Sequence, residues 1–175
     1  DLPPPPLAEH NDACYDGEEH TATATSEPGT TIIWYSSETG DEPGEQPRGT
    51  EPGVYTAWAA AVNDITGCES SERTEVILEI FELPEAPLAD NNTVCFDGEE
   101  HSANALAAAG SSIVWFAGEI GDEPGTQPIA TIPGIYTAWA ASMDEDTGCI
   151  SSERTEVVLE IFELPEPPLA LNFET

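Results

Sequence analysis

The chain has no lysine and only three arginines, Arg48, Arg73 and Arg154, against 35 acidic residues, a formal charge of -32. That balance excludes a nucleic-acid partner, because phosphate contacts are made by Lys and Arg. It excludes attraction to anionic lipid headgroups for the same reason. No apolar run approaches the roughly 20 residues of a membrane helix, so direct membrane insertion is not expected. No window carries a capped 3.6-residue period, so almost no helix is expected. Histidines number three, His10, His20 and His101, and no positioned base and nucleophile accompany them. The acidic residues follow turns and do not form an opposed pair, so no catalytic site is expected and the protein is read as a non-enzyme.

What is present is repetition. The stretch beginning at Thr66, TGCESSERTEVILEIFELPE, returns at Thr147 as TGCISSERTEVVLEIFELPE, 81 positions later. The same shift superposes Cys14 on Cys95, Trp34 on Trp115, Tyr55 on Tyr136, Trp58 on Trp139 and Cys68 on Cys149 without a gap. About two-thirds of the positions from Cys14 to Glu85 are identical in the second copy. The expected domains are therefore 1–84 and 85–168, with 169–175 starting a further repeat or a linker. Pro168-Leu169-Ala170 restarts the pattern of Pro6-Leu7-Ala8, as in a longer array. The chain opens DLPPPP, so any export signal is expected to have been removed.

Each copy holds two cysteines 54 positions apart. Equal spacing predicts the disulfides Cys14–Cys68 and Cys95–Cys149 and an oxidising, extracytoplasmic location. Such a loop closure would contribute about 4 kcal/mol in the chain-entropy model. No CxxC spacing supports a thiolate metal site.

Within a copy, Val76, Leu78 and Ile80 alternate with Glu75, Ile77 and Glu79, a period of two that predicts a half-buried strand. GVYTAWAAAV, from Gly53 to Val62, predicts a second strand, joined to the first through the polar turn NDITGCESSE. TIIWY (Thr31 to Tyr35) and HTATAT (His20 to Thr25) complete four recognisable strands. Short strands at this spacing around a tryptophan predict an all-β sandwich. Trp34 and Tyr55, with Trp115 and Tyr136 in the second copy, are the expected core anchors. Tyr55 is also expected to tie its strand to a neighbouring loop.

The order Cys14, Gly17, Ala22, Gly29, IIWY, Gly40, GVYTAWA, TGCESSERTEVILEI and a closing proline resembles the immunoglobulin-like repeats of very large Bacteroidetes surface proteins. Those proteins are exported by the type IX route and include gliding-motility adhesins. The resemblance covers essentially the whole chain, twice. It implies two tandem immunoglobulin-like β-sandwich domains in an extended arrangement, between a cell-surface anchor and a distal functional part. Gly40-Asp41 and Gly121-Asp122 stand where the family has a Gly-Gly turn.

The acidic turns suggest calcium, which takes six to eight oxygens in flexible geometry. The candidate ligands are Asp16 and Glu18 in DGEE, Asp41 and Glu42 in GDEPG, and their copies Asp97, Glu99, Asp122 and Glu123. None has the spacing of a dedicated calcium loop. Ca2+ is thus the candidate cofactor, and the alternative is a solvated acidic surface suited to high salt. Trp58 and Trp139, if outward-facing, are candidate contacts for a surface polysaccharide or for a neighbouring repeat.

The joint FELPEAPLA, with Pro84 and Pro87, predicts a short, semi-rigid connection. Taken together, the sequence predicts a stiff acidic stalk segment of an extracellular, cell-surface or secreted repeat protein. Its expected partners are neighbouring repeats of the same chain. Assembly with other copies into a filament, or carbohydrate binding by the repeats, are the alternatives.

Overall fold

The computed structural model describes residues 2–168, which divide into two units between Leu83 and Pro84. This division falls one residue before the boundary read from the repeat. The segment 169–175, read as the start of a further repeat, lies outside the described residues. Both units are all-β, and no helix occurs among the described residues.

The first unit contains β1 (Leu7–Glu9), β2 (Asn11–Cys14), β3 (His20–Thr21), β4 (Thr23–Thr25), β5 (Thr30–Tyr35), β6 (Arg48–Gly49), β7 (Gly53–Asn63) and β8 (Thr74–Phe81). The second repeats them as β9 (Leu88–Asp90), β10 (Asn92–Cys95), β11 (His101–Ser102), β12 (Asn104–Leu106), β13 (Ser111–Phe116), β14 (Ile129–Ala130), β15 (Gly134–Asp144) and β16 (Thr155–Phe162). In the first unit one sheet has the order β2-β8-β7-β5, while β1-β4 and β3-β6 form the facing layer. The second unit has β10-β16-β15-β13 against β12-β9 and β11-β14. Each is an immunoglobulin-like sandwich.

The core follows from the alternation of β7 and β8. Val76, Leu78 and Ile80 are almost fully buried, while on the other face Glu75 and Glu79 are exposed and Ile77 is half-buried. On β7, Tyr55, Ala57, Ala59 and Ala61 share the inner face, so the strand under the core is lined mainly by alanine. Ala22 and Ala24 come from the facing layer. Trp34 and Tyr55 pack partly buried against this cluster, as Trp115 and Tyr136 do in the second unit. Small residues on both layers leave room for the indole between them, in keeping with close packing.

Three features were not legible in the sequence. The first is that β1 and β2, adjacent in the chain, lie in different sheets. The side chain between them enforces the switch: His10 Nδ1 accepts the amide of Ile77 at 3.1 Å. In the second unit Asn91 Oδ1 accepts that of Val158 at 2.8 Å. The second is that HTATAT is two strands, because Ala22 leaves the ladder. Its amide donates to the Pro47 carbonyl (3.1 Å), and its carbonyl accepts Gln46 Nε2 (2.9 Å). The third is β6, whose two residues are too few to show a period.

The ends of each sandwich differ in kind. The chain enters beside the start of β8, where Thr74 Oγ1 donates to the Pro6 carbonyl at 2.6 Å. It leaves after Phe81, the end of β8. Because β2 runs parallel to β8, with Cys14 opposite Phe81, both strands finish at that exit pole. The turn joining β7 to β8 occupies the other, hairpin pole.

This geometry corrects the expected disulfides. Cys14 sits at the exit pole, whereas the Cys68 carbonyl accepts the amide of Asn63 at the hairpin pole. The 11 residues of β7 separate them. At about 3.3 Å per residue that is more than 30 Å, and a disulfide requires Cα atoms within about 7 Å. The bonds Cys14–Cys68 and Cys95–Cys149 therefore cannot form inside these units. Cys14 and Cys149 are disulfide-bonded, while Cys68 and Cys95 are free, exposed thiols. Equal spacing showed that the copies correspond, not that the two cysteines of one copy meet.

Candidate functional site: a latched loop and two acidic turns

The stretch GDEPG belongs to a loop that folds back on β5. Ser36 donates its amide to the Glu42 carbonyl (3.2 Å), and Gly44 donates to that of Trp34 (2.9 Å). Pro43 bridges to Tyr35. In the second unit Ala117 pairs with Glu123 (3.0 Å), Gly125 with Trp115 (2.9 Å), and Pro124 bridges to Phe116. The backbone of this stretch carries the contacts, and the side chains of Asp41, Glu42, Asp122 and Glu123 are exposed.

An arginine locks the loop. Arg73 Nη1 donates to the carbonyls of Gly40 (2.6 Å) and Ser37 (3.2 Å). Its guanidinium stacks 3.2 Å above the Tyr35 ring, and the side chain is only 12% exposed. Arg154 repeats this on Gly121 (2.6 Å) and Gly118 (3.0 Å), stacked 3.4 Å over Phe116. A planar guanidinium suits this site because it donates in its plane and stacks through its face. Two of the chain's three cations are thus occupied in holding loops. The third, Arg48, pairs on the surface with Glu45 at 2.6 Å. The arginine belonged to a motif the sequence displayed, but nothing in the sequence announced a partner about 33 positions away.

The copies differ at the latch in a paired way. Tyr35 donates its hydroxyl to Glu69 Oε2 at 2.8 Å, and burial together with this carboxylate holds the phenol above its ordinary value. The second unit has Phe116 and Ile150 in these places, so hydroxyl and carboxylate are replaced together. Tyr35→Phe alone is expected to cost about 1 kcal/mol, since Glu69 loses the hydroxyl and keeps only Arg73 Nε at 3.5 Å. Adding Glu69→Ile is expected to restore most of that. Urea unfolding of both single variants and the double variant checks this coupling, which independent sites would not show.

Tyr55 ties β7 to the preceding loop by donating to the Glu51 carbonyl at 2.9 Å, and Tyr136 does the same to Ile132 at 3.1 Å. Trp58 and Trp139 lie on the face of their strands away from the core, half-buried. Trp58 stands opposite Tyr35 and Trp139 opposite Phe116. Each indole therefore flanks the ring that carries the latch arginine.

The DGEE turn is closed by its own aspartate. Asp16 Oδ1 accepts the Glu18 amide at 2.9 Å and meets His20 Nε2 at 3.0 Å. Asp97, Glu99 and His101 repeat this at 2.9 Å and 2.9 Å. Gly17 supplies the left-handed residue of the turn at φ 80°. The carboxylate oxygen suggested as a calcium ligand is thus already hydrogen-bonded within its turn. Glu18 and Glu99 point their side chains outward as exposed residues. Among the described residues, no three Asp, Glu, His or Cys side chains gather as a metal site would require. The candidates Asp16, Glu18, Asp41 and Glu42 are not brought together, nor are Asp97, Glu99, Asp122 and Glu123.

These aspartates set the acid behaviour. The hydrogen bond from the Glu18 amide, then that from His20, holds Asp16 below the usual carboxylate value of 3.8, and Glu99 and His101 act likewise on Asp97. Asp144 is lowered by the Thr147 amide and hydroxyl. A carboxylate with a depressed folded-state value stabilises the fold above its unfolded value, and the contribution is lost as pH falls through the folded one. Opposing this, protonation of other acidic groups relieves the repulsion of the -32 charge. At low salt, the unfolding temperature is expected to rise from neutral pH to a maximum near about pH 4 to 5 and then fall. Asp16→Asn with Asp97→Asn should flatten the acid limb specifically. A melting series with pH, at low and at 1 M NaCl, reads both arms.

No family model matches the chain, and no curated protein matches it. Among solved structures it is similar to the I-band fragment I67-I69 of titin, with 15% identity over 93% of this chain and 65% of that one, at a TM-score of 0.37. It is similar also to Drosophila N-cadherin EC1-3, with 13% identity over 94% of this chain and 69% of that one, at a TM-score of 0.29. The tandem Ig repeats of Dlar match with 12% identity over 91% of this chain and 99% of that one, at a TM-score of 0.31. Among the described residues, no helix is long and apolar enough to cross a membrane.

Proposed function

We propose that the chain is a stalk segment of a long extracellular repeat protein, an acidic spacer of the kind its repeat pattern resembles in type IX-exported Bacteroidetes surface proteins. One observation carries the reading. The contacts that hold each unit together are duplicated: the latch, the docked loop, the tyrosine tie and the strand switch recur in both units. Each unit also takes in its chain at one pole and releases it at the opposite one, so that units can be added end to end. The short, proline-bearing joint between Phe81 and Leu88 leaves little slack. The high negative charge keeps such a surface soluble and unattached. A cell-surface or secreted location follows from this reading.

Small-angle scattering from chains of two, four and six repeats tests it. The largest dimension should grow in proportion to repeat number. A dimension that levels off, as for collapsed or freely jointed units, would sink the stalk reading. Carbohydrate binding is the second reading, favoured by the repeated, half-buried Trp58 and Trp139. Glycan-array binding that disappears in the Trp58→Ala, Trp139→Ala variant would establish it.

A further inference from the structure

The cysteines fall into two classes by place in the fold. Cys14 and Cys95 end the strands β2 and β10 at the exit pole, opposite Phe81 and Phe162. Cys68 and Cys149 sit in the turns at the hairpin pole, where their carbonyls accept the amides of Asn63 and Asp144 at 2.9 Å. One member of each class is in a disulfide, Cys14 and Cys149, and one member of each class is a free, exposed thiol, Cys95 and Cys68. Bonding between the classes inside a unit is excluded by the length of β7 and β15, 11 residues each.

Every free thiol therefore has a repeat-equivalent that is disulfide-bonded in the same chain. Sequence gives the equivalents nearly the same surroundings: DAC and TVC before the exit-pole cysteines, TGCESSERTEV and TGCISSERTEV around the hairpin ones. In an array built on an 81-residue repeat, the copy that follows presents its hairpin cysteine downstream of Cys95. The copy that precedes presents its exit-pole cysteine upstream of Cys68.

We propose that Cys95 and Cys68 are cross-linking thiols, each forming a disulfide with the cysteine of the other class on another copy of the repeat. Repeats would then be joined twice, once by the peptide chain and once by sulfur. The step is a two-electron oxidation. Each thiol gives up a proton, the two sulfurs bond, and the electron pair reduces a disulfide oxidant to two thiols. The inference rests on the tandem reading, yet its test is separate, because scattering reports on shape and thiol mapping reports on bonds.

The experiment is a tandem of two copies of this chain, with residue 167 followed directly by Pro6 of the second copy so that the repeat spacing is kept. It is oxidised with glutathione disulfide in 1 M NaCl. Free thiols are then alkylated, and the disulfide-linked peptides are mapped by mass spectrometry. The expected result is loss of alkylation at Cys95 of the first copy and Cys68 of the second, with one peptide pair joining them. Cys95→Ser should return the second copy's Cys68 to full alkylation. Persistent alkylation of both after oxidation overturns the proposal, as does pairing of cysteines of the same class. As an arm that does not depend on the tandem folding, separate Cys68→Ser and Cys95→Ser chains are oxidised alone and mixed. A covalent dimer that forms many-fold faster in the mixture supports the proposal. Equal dimer formation by either variant alone overturns it.

Discussion

Arg73→Ala is expected to destabilise the first unit by about 4 kcal/mol and to release the loop between Ser36 and Gly44. The side chain does three things at once. It donates to two loop carbonyls, at 2.6 and 3.2 Å, covers the Tyr35 ring at 3.2 Å, and lies 3.5 Å from Glu69 Oε1. Hydrogen bonds from a charged donor contribute about 1.5 to 3 kcal/mol each, and a guanidinium over a ring about 1 to 2. Part of that is discounted because Glu69 is 34% exposed and its attraction is screened. Losses are not additive within one network, which keeps the total near the lower sum. Arg73→Lys should recover little, since an ammonium cannot donate in a plane and stack together. Hydrogen exchange read by mass spectrometry is the measurement. The amides of Ser36 and Gly44 should lose protection in the variant, while the equivalent peptides around Ala117 and Gly125 serve as the unchanged internal reference. Unaltered protection at Ser36 would mean that the loop holds itself.

Gly44→Ala is expected to cost about 3 kcal/mol, and Gly125→Ala the same in the second unit. Neither Gly44 nor Gly125 has a positive φ. A β-carbon at Gly44 would run into the carbonyl group of Tyr35 and stand 2.7 Å from the Ser36 nitrogen. At Gly125 it meets Phe116 and Ala117 in the same way. Backbone atoms within a paired strand cannot swing aside as a side chain can, so the loop must lift and its bond to the Trp34 carbonyl must break. Gly49 makes the contrast. A β-carbon there would strike the ring of Tyr55, which can shift. The second unit in fact carries Ala130 at this place, packed beside its core, with Tyr136 keeping its tie. Thermal unfolding of Gly44→Ala and Gly49→Ala should therefore differ widely, although both are glycine-to-alanine changes only five residues apart.

The contrast between legible and hidden features has a physical basis. Long strands announce themselves, because burial of one face writes a period of two into β7 and β8, and the tryptophan and tyrosine anchors follow from it. Strands of two or three residues, such as β6 and β1, are too short for any period. Contacts made by backbone carbonyls leave no residue preference behind, so the arginine latch was invisible, and GDEPG read as a cluster of calcium ligands when its glycine was the constrained residue. Repetition was read correctly as repetition. Pairing Cys14 with Cys68 failed because sequence distance carries no information on which pole each cysteine occupies. The parallel alignment of β2 with β8 decides that, and parallel pairing of a first strand with a last one has no local signature.

That alignment also governs how a unit meets tension. A pull on its two ends is applied before β1 and after β8, at opposite poles, so it runs along β2 and β8 in opposite senses. The parallel ladder from Asn11 opposite Leu78 to Cys14 opposite Phe81, extended by the Tyr15 amide on the Phe81 carbonyl at 3.0 Å, then bears the load in shear. Its hydrogen bonds must yield together, whereas an antiparallel hairpin pulled at its open end unzips one bond at a time. Rupture under load is a matter of unfolding rate, not of equilibrium stability. A few residues of β2, contributing little to the core, would therefore set the force at which each repeat gives way.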